Sequence, residues 1–195
     1  MQELITLPAP NLKGTVPLEQ VIAARRSHRD FSDESLTLEQ IGQLAWSAQG
    51  QSPKGRYRTV PSAGATYPLE LFLISDMGLF HYILTKHTLE KVADGDLRSA
   101  LASAAWGQGF IADAPLTLVL AAEFERTTGR YGQRGIRYVY MEAGHAAQNI
   151  HLQAEAIRLG SVAVGAFNDA AVSNVLGLPG HLKPIYMVTV GLRRK

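Results

Sequence analysis

The sequence predicts an α+β domain, and three observations predict it. Segments with helical spacing alternate irregularly with short β-branched runs, consecutive strands form at least one hairpin, and no internal repeat or low-complexity tract interrupts them. At 195 residues, 46% of them hydrophobic, the chain is long enough for one substantial core and short for two, so residues 1–195 read as a single domain.

Residues 1–16, with Pro8, Pro10 and Gly14, read as an extended N-terminal arm. Pro17 opens a helix over Leu18–Arg26, in which Leu18, Val21 and Ile22 recur at helical spacing. Thr37 followed by Gln40 is a capping-box pattern before a second helix, with Leu38, Ile41, Leu44, Ala45 and Ala48 as its apolar stripe and Gly50 as its stop. Gln51–Tyr67 contains Pro53, Gly55, Pro61 and Gly64 and reads as a long loop, of the length that usually carries function.

Leu69–Ser75 and Gly78–Leu84 are predicted strands, with Leu89–Ala93 pairing back across Thr85-Lys86-His87. Asp96 caps an Ala-rich helix through Ala105. Pro115–Phe124 is a nearly continuous apolar run, as expected of a central strand buried on both faces. Glu125–Gly135 is polar and reads as a second loop; Ile136–Leu159 is the longest helix, ended by Gly160. Ser161–Phe167 is a strand, Asp169 caps a short helix, and Ile185–Val190 is the last buried strand. Trp46 and Trp106 fall at helical positions and are assigned to the core.

Composition excludes several functions. Nineteen Lys and Arg against 17 Asp and Glu leave a net charge of +2, far from the basic excess of a nucleic-acid binder. The absence of cysteine removes disulfides, thiolate catalysis and Cys-bound zinc or iron–sulfur sites. Met1-Gln2-Glu3-Leu4 has neither the basic start nor the apolar run of a signal peptide, and no apolar stretch reaches membrane-spanning length. A cytoplasmic protein with no membrane or nucleic-acid partner is expected.

Three constellations could carry chemistry. Arg25-Arg26-Ser27-His28-Arg29-Asp30-Phe31 follows the first helix. Cations there complement the helix macrodipole by about 0.3–1 kcal/mol each. Three arginines and a serine also make a phosphate clamp, because each guanidinium is a planar fork that meets two phosphate oxygens. Pro61-Ser62-Ala63-Gly64-Ala65-Thr66-Tyr67-Pro68 is either an ordinary turn or a path in which backbone N–H groups approach a ligand. Gly165-Ala166, at a strand end, allow either close packing or a flat ligand against the backbone.

Other matches fail on context. Gly107-Gln108-Gly109-Phe110-Ile111-Ala112 has the letters of a dinucleotide fingerprint but follows a helix instead of a strand. His145 and His151 are six residues apart on one helix and face different ways, whereas metal pairing needs four; no metal site is expected. Arg193-Arg194-Lys195 reads as a solvated tail unless it folds back on the first basic cluster.

In order and together, these pieces resemble the nitroreductase family of FMN enzymes, and more narrowly its SagB-type branch of azoline dehydrogenases. The similarity runs from about Val21 to Gly191. It comprises Arg25–Phe31, Pro61–Pro68 with Glu70, and Gly78-Leu79-Phe80-His81-Tyr82 with His87 and Leu89. It continues through Arg130-Tyr131-Gly132 with Arg134-Gly135 and Arg137-Tyr138, then Glu142-Ala143-Gly144-His145 with Gln148-Asn149. Leu159-Gly160, Gly165-Ala166-Phe167 and Val190-Gly191 close it.

The resemblance implies a central, mostly antiparallel sheet flanked by helices, in an intertwined homodimer with FMN at the interface. It assigns Arg25, Arg26, Ser27 and Arg29 to the phosphate and ribityl end, with Arg193 or Arg194 returning from the C-terminus. It assigns Pro61, Ser62, Ala63 and Gly64 to the isoalloxazine from the partner subunit, and Gly165 and Ala166 to the strand end beside the ring. Gln108 and Glu142 fall at polar flavin-side positions. The activity it implies is two-electron transfer from NAD(P)H to a small nitroaromatic or quinone-like acceptor, with redox chemistry supplied by the cofactor. Azoline oxidation in a peptide is the alternative within enzymes, and a non-catalytic flavin-binding protein the alternative outside them.

Two positions depart from the SagB-type pattern. Ala65 stands where a second glycine is common. Azoline dehydrogenases carry a catalytic Lys-Tyr pair where this chain has Arg130-Tyr131, assigned here to the substrate side; Arg does not deprotonate and so cannot replace Lys as a base.

Overall fold

The computed structural model describes residues 3–52 and 55–194; Met1, Gln2, Pro53, Lys54 and Lys195, on which parts of the predicted arm, loop and tail fall, lie outside them. The centre is a seven-stranded sheet in which every neighbouring pair is antiparallel. In chain order the strands are β1 (Leu4–Thr6), β2 (Leu69–Ser75), β3 (Gly78–Ile83), β4 (Thr88–Ala93), β5 (Leu116–Ala122), β6 (Gly160–Val164) and β7 (Lys183–Gly191). Their spatial order is β1-β4-β3-β2-β5-β7-β6.

The apolar run of β5 has the predicted consequence: all seven of its residues are buried, and it lies between β2 and β7. Period-2 alternation then serves two cores at once. Leu71, Leu73, Leu118, Leu120, Val188 and Val190 face one core, while Phe72, Ile74, Val119, Ala121 and Met187 face the other. The first core is closed by α2 (Leu38–Gln49) and α6 (Arg134–Ala156), and the second by α3 (Arg98–Ala104), α4 (Phe110–Asp113) and α7 (Asp169–Leu176). Helix α2 begins with the predicted reciprocal cap: Thr37 Oγ1 accepts from Gln40 N at 3.3 Å and Gln40 Oε1 from Thr37 N at 2.9 Å. At 23 residues α6 is about 35 Å long and underlies the full width of the site.

The structure corrects several expectations. The arm is not simply extended: Leu4–Thr6 adds an edge strand to β4, and Lys91 N donates to Glu3 O at 3.0 Å. Glu125–Gly135 is not a loop. Glu125–Tyr131 forms helix α5, and Gly132 at φ 56° turns the chain into α6. This helix has no apolar stripe to announce it; tertiary ties hold it, through buried Thr127 and the ion pairs of Arg126 with Glu70 and Glu123.

Helix α1 covers Leu18–Ala24, so Arg25 is its C-cap and Arg26 lies beyond it. Gly160 opens β6 instead of capping α6, and Asn168, not Asp169, caps α7 by accepting from Ala171 N at 2.9 Å. Trp106 is not core: it is 69% exposed, in the turn between α3 and α4, at φ 57°. Trp46 is only half-buried. The region Gly107–Ala112 follows α3, as the rejection of the dinucleotide fingerprint requires.

Candidate functional site

The predicted residues gather in two places. The first is built where the two ends of the chain meet. Ser27 bridges Ser161 at the start of β6, Phe31 bridges Arg193, and Arg194 N donates to Asp30 O at 3.3 Å. The basic tail therefore does fold back on the first basic cluster. Gly160 permits that closeness, since a Cβ there would stand 2.9 Å from His28 Cβ and 3.1 Å from Arg193 Cγ.

The arginines of this cluster do different work. Arg26 Nη1 donates to Ala23 O at 2.9 Å and to Arg25 O at 2.7 Å, which is the capping role. Arg193 pairs with Glu155 and donates to Leu159 O at 3.0 Å; its Nε is buried and unpartnered. Arg194 lies 3.5 Å from both Asp30 and Asp33. Arg29 lies 5.7 Å over the Phe110 ring. Among the described residues Arg25, Arg26 and Arg29 meet no carboxylate within ion-pair distance. Three cations without a counter-charge fit an anionic group such as a phosphate ester. The Arg25 charge also acts on His151, whose pKa is pushed down to about 4, chiefly through burial and then through that charge. His151 Nδ1 is 2.7 Å from Ser161 Oγ.

Gly165 and Ala166 follow β6 and are both exposed. Gln108 joins them, because its Nε2 donates to Ala166 O and to Ala105 O, each at 2.9 Å. The strand end, Gln108 and Arg29 on Phe110 thus belong to one side of the molecule's second core.

The second place is the loop before β2. Ala63–Ala65 form a single helical turn containing Gly64 at φ 60°, and Ala65 and Tyr67 also adopt left-handed backbone, at φ 55° and 47°. Non-glycine residues there are strained, and such strain clusters at functional sites. Ser62 Oγ accepts from Tyr67 N at 2.9 Å, and the Thr66 and Thr127 hydroxyls are 2.8 Å apart. Arg130 and Tyr131 of α5 close over the turn: Arg130 Nη1 donates to Gly64 O at 3.2 Å. Glu142 of α6 is 3% exposed, and its Oε1 has no partner among the described residues. Burial pushes its carboxyl up to about 7, against the Ser62 hydroxyl and the Arg58 charge, which pull it down.

Glu142 and Glu155 mark the two places on α6. They are thirteen positions apart, about 20 Å along the axis at 1.5 Å per residue. One chain therefore holds the basic cluster and the Pro61–Gly64 loop apart. A cavity of about 600 Å³ opens elsewhere, under the arm among Asn11, Leu12, Gln43 and Trp46, and no predicted site residue lines it.

Spacing gave no sign of Arg58, Glu155 or Thr127 and offered His151 only as a rejected metal ligand; all four enter through contacts distant in sequence. Arg58 donates to Gln49 Oε1 at 2.7 Å and Leu69 O at 2.9 Å while lying 4.7 Å over the Tyr67 ring.

The family model for the nitroreductase family matches residues 22–192. The chain belongs to the nitroreductase family. Its enzymes are oxidoreductases of the flavin type, and this protein is one of them. It is 39% identical over 197 residues to the Methanocaldococcus jannaschii protein MJ1384, which carries a nitroreductase name, and covers 98% of each chain. A nitroreductase-named crystal structure from Ralstonia eutropha superposes with a TM-score of 0.89 at 30% identity, over 98% of this chain and 90% of the other. The nitroreductase is also 29% identical over 162 residues to the microcin B17-processing protein McbC of Escherichia coli, covering 76% of this chain and 60% of McbC. None of the helices described is long and apolar enough to cross a membrane.

Proposed function

We propose that this nitroreductase holds FMN in a seam between two copies of the chain and moves two electrons from NAD(P)H to a small nitroaromatic or quinone-like acceptor. The observation that carries this is the unneutralised cluster of Arg25, Arg26 and Arg29, set well apart along α6 from the loop that the resemblance gives to the ring. A second copy supplies what one chain keeps separate. Apolar side chains left open on α6 and α1 support that pairing: Tyr140, Met141, Leu18 and Ile22 are each more than half exposed.

Arg25, Arg29 and Ser27 would hold the phosphate, while Arg193 and Arg194 stiffen the clamp from behind through Glu155, Asp30 and Asp33. Gly165 and Ala166 present exposed backbone to the ring, and Gln108 fixes their carbonyl side. Pro61–Gly64 of the other copy closes the opposite face, with Arg130 and Tyr131 at the acceptor's edge. FMN, when bound, supplies the hydride acceptance and the two-electron release. The chain's own residues bind, orient and exclude water.

The similarity to McbC favours a second reading, oxidation of a heterocycle in a peptide. Arg130 in place of a lysine removes the base that azoline chemistry would use, so we place this second. Mixing reduced protein with nitroaromatic and quinone acceptors, and oxidised protein with azoline peptides, separates them. Reoxidation by the first set supports the main reading; turnover of the peptides alone overturns it.

A further inference from the structure

Three rungs join helix α5 to the loop before β2. Arg126 Nη1 donates to Tyr67 O at 3.2 Å, the Thr127 and Thr66 hydroxyls are 2.8 Å apart, and Arg130 Nη1 donates to Gly64 O at 3.2 Å. The helix therefore runs antiparallel to the loop. The rungs fall where the backbone is least favourable, since Gly64, Ala65 and Tyr67 all have positive φ and two of them lack the freedom of glycine. Such a conformation persists only where its surroundings over-determine it.

The Arg126 rung continues into the sheet. The same Nη1 donates to Glu70 Oε1 on β2 at 2.7 Å, and Nε donates to Glu123 Oε2, just past the end of β5, at 2.6 Å. Glu70 is itself held from behind: its Oε2 lies 3.0 Å from His81 Nε2 on β3, and the His81 ring stacks on Phe72 at 4.8 Å. The β2–β3 register allows this, because Phe72 stands opposite His81 and Glu70 is the diagonal neighbour on the same face. Burial raises the Glu70 carboxyl, but the hydrogen bonds with His81 and Arg126 outweigh it and hold the carboxyl below its ordinary range. Arg126 thus keeps an ionised partner at neutral pH.

An exposed ion pair by itself is worth little. This one differs in its third contact: a single guanidinium grips a carboxylate of the sheet, a carboxylate at the start of the helix, and the main chain of a strained loop. A planar fork with five donors suits that task. We propose that Arg126 is a positioning residue: bracketed by Glu70 and Glu123, it locks the Pro61–Tyr67 loop and α5 into one rigid wall and sets Arg130 and Tyr131 in register against the acceptor. The inference rests on the proposed function in calling this wall the acceptor's edge; the joint between loop and helix stands on the contacts alone.

The test has two arms, both on the full chain. Amide hydrogen exchange of the flavin-free protein follows Tyr67, whose N–H donates to Ser62 Oγ, and Gly132, whose N–H donates to Thr128 O at the end of α5. Arg126→Gln should speed both amides by about tenfold or more, the size that loss of a charge-assisted hydrogen bond carries, and leave the amides of β5 unchanged. Glu70→Gln should speed the same two amides, and the double variant should add little to Arg126→Gln, since the two act through one contact. Loss at one amide without the other, or a double variant that sums the single effects, overturns the proposal.

With saturating FMN, Arg126→Gln should raise KM for a nitroaromatic acceptor about tenfold with kcat held within about twofold. Reoxidation by dioxygen should be unchanged, because so small an oxidant needs no positioned edge. An unchanged KM, or equal slowing with dioxygen, overturns the proposal. Should Arg126→Gln not fold, Arg126→Lys takes its place. One ammonium on a flexible stem cannot serve Glu70, Glu123 and Tyr67 O together, so the same paired loss of protection is expected, and a Tyr67 amide as slow as in the wild type overturns the proposal. A chain that takes up no FMN would refute the functional reading instead, and the exchange arm would still decide the joint.

Discussion

The Arg130 guanidinium reaches Gly64 O at 3.2 Å from a helix 66 positions later in the chain, and a Cβ on Gly64 would stand 2.9 Å from the same Nη1. Gly64 is a glycine for two reasons at once, its φ of 60° and the absence of room. Gly64→Ala should destabilise the protein by about 1–3 kcal/mol, the range for left-handed strain combined with a forced contact. Urea unfolding measures this.

Arg130→Lys keeps the charge and loses the planar contact with the Tyr131 ring, now 5.5 Å from the guanidinium carbon. Flavin content should be unchanged and acceptor turnover altered. A colourless Arg130→Lys protein would show instead that Arg130 acts through the Gly64 turn.

Among the described residues Arg29 meets no carboxylate within ion-pair distance, and its guanidinium lies over Phe110. Arg29→Ala should therefore weaken FMN binding by about 1.5–3 kcal/mol, the range for a hydrogen bond to a charged group, with little effect on folding. Fluorescence titration with FMN reads the first and thermal melting the second.

His151 is buried against Ser161 with its proton affinity lowered from the ordinary imidazole value to about 4. The unfolded chain then binds a proton at pH 5 that the folded one refuses. Stability from this residue is complete above about pH 6.5 and is lost as pH falls toward 4. Between pH 7 and pH 5 the wild type should lose about 2 kcal/mol more than His151→Gln, which does not titrate. Equal losses in paired urea titrations would contradict the assignment.

Much of the frame was legible because local pattern and tertiary role agree. The Thr37–Gln40 cap, the unbroken apolar run of β5 and the β3–β4 hairpin each carry their own signal. Helix α5 and strand β1 do not: the first is held by Arg126 pairing with Glu70, the second by hydrogen bonds to β4, and both depend on partners about 56 and 86 positions away. The site divides the same way. Arg25–Arg29 and Gly165–Ala166 stand out as runs, and the return of Arg193 and Arg194 was a stated condition that the strand pairings satisfy. The split of duties among the arginines was hidden, since whether Arg26 caps a helix or Arg193 meets Glu155 is settled by where the chain folds.

The central claim, that these arginines hold a flavin which the protein reduces, is tested most directly by the visible absorption spectrum of the purified protein with FMN, recorded before and after anaerobic NADPH or NADH. The account predicts a yellow protein whose flavin bands bleach on adding the nicotinamide and return with a nitroaromatic or quinone acceptor. A protein that stays colourless with FMN present, or whose bound flavin neither nicotinamide can bleach, would contradict it.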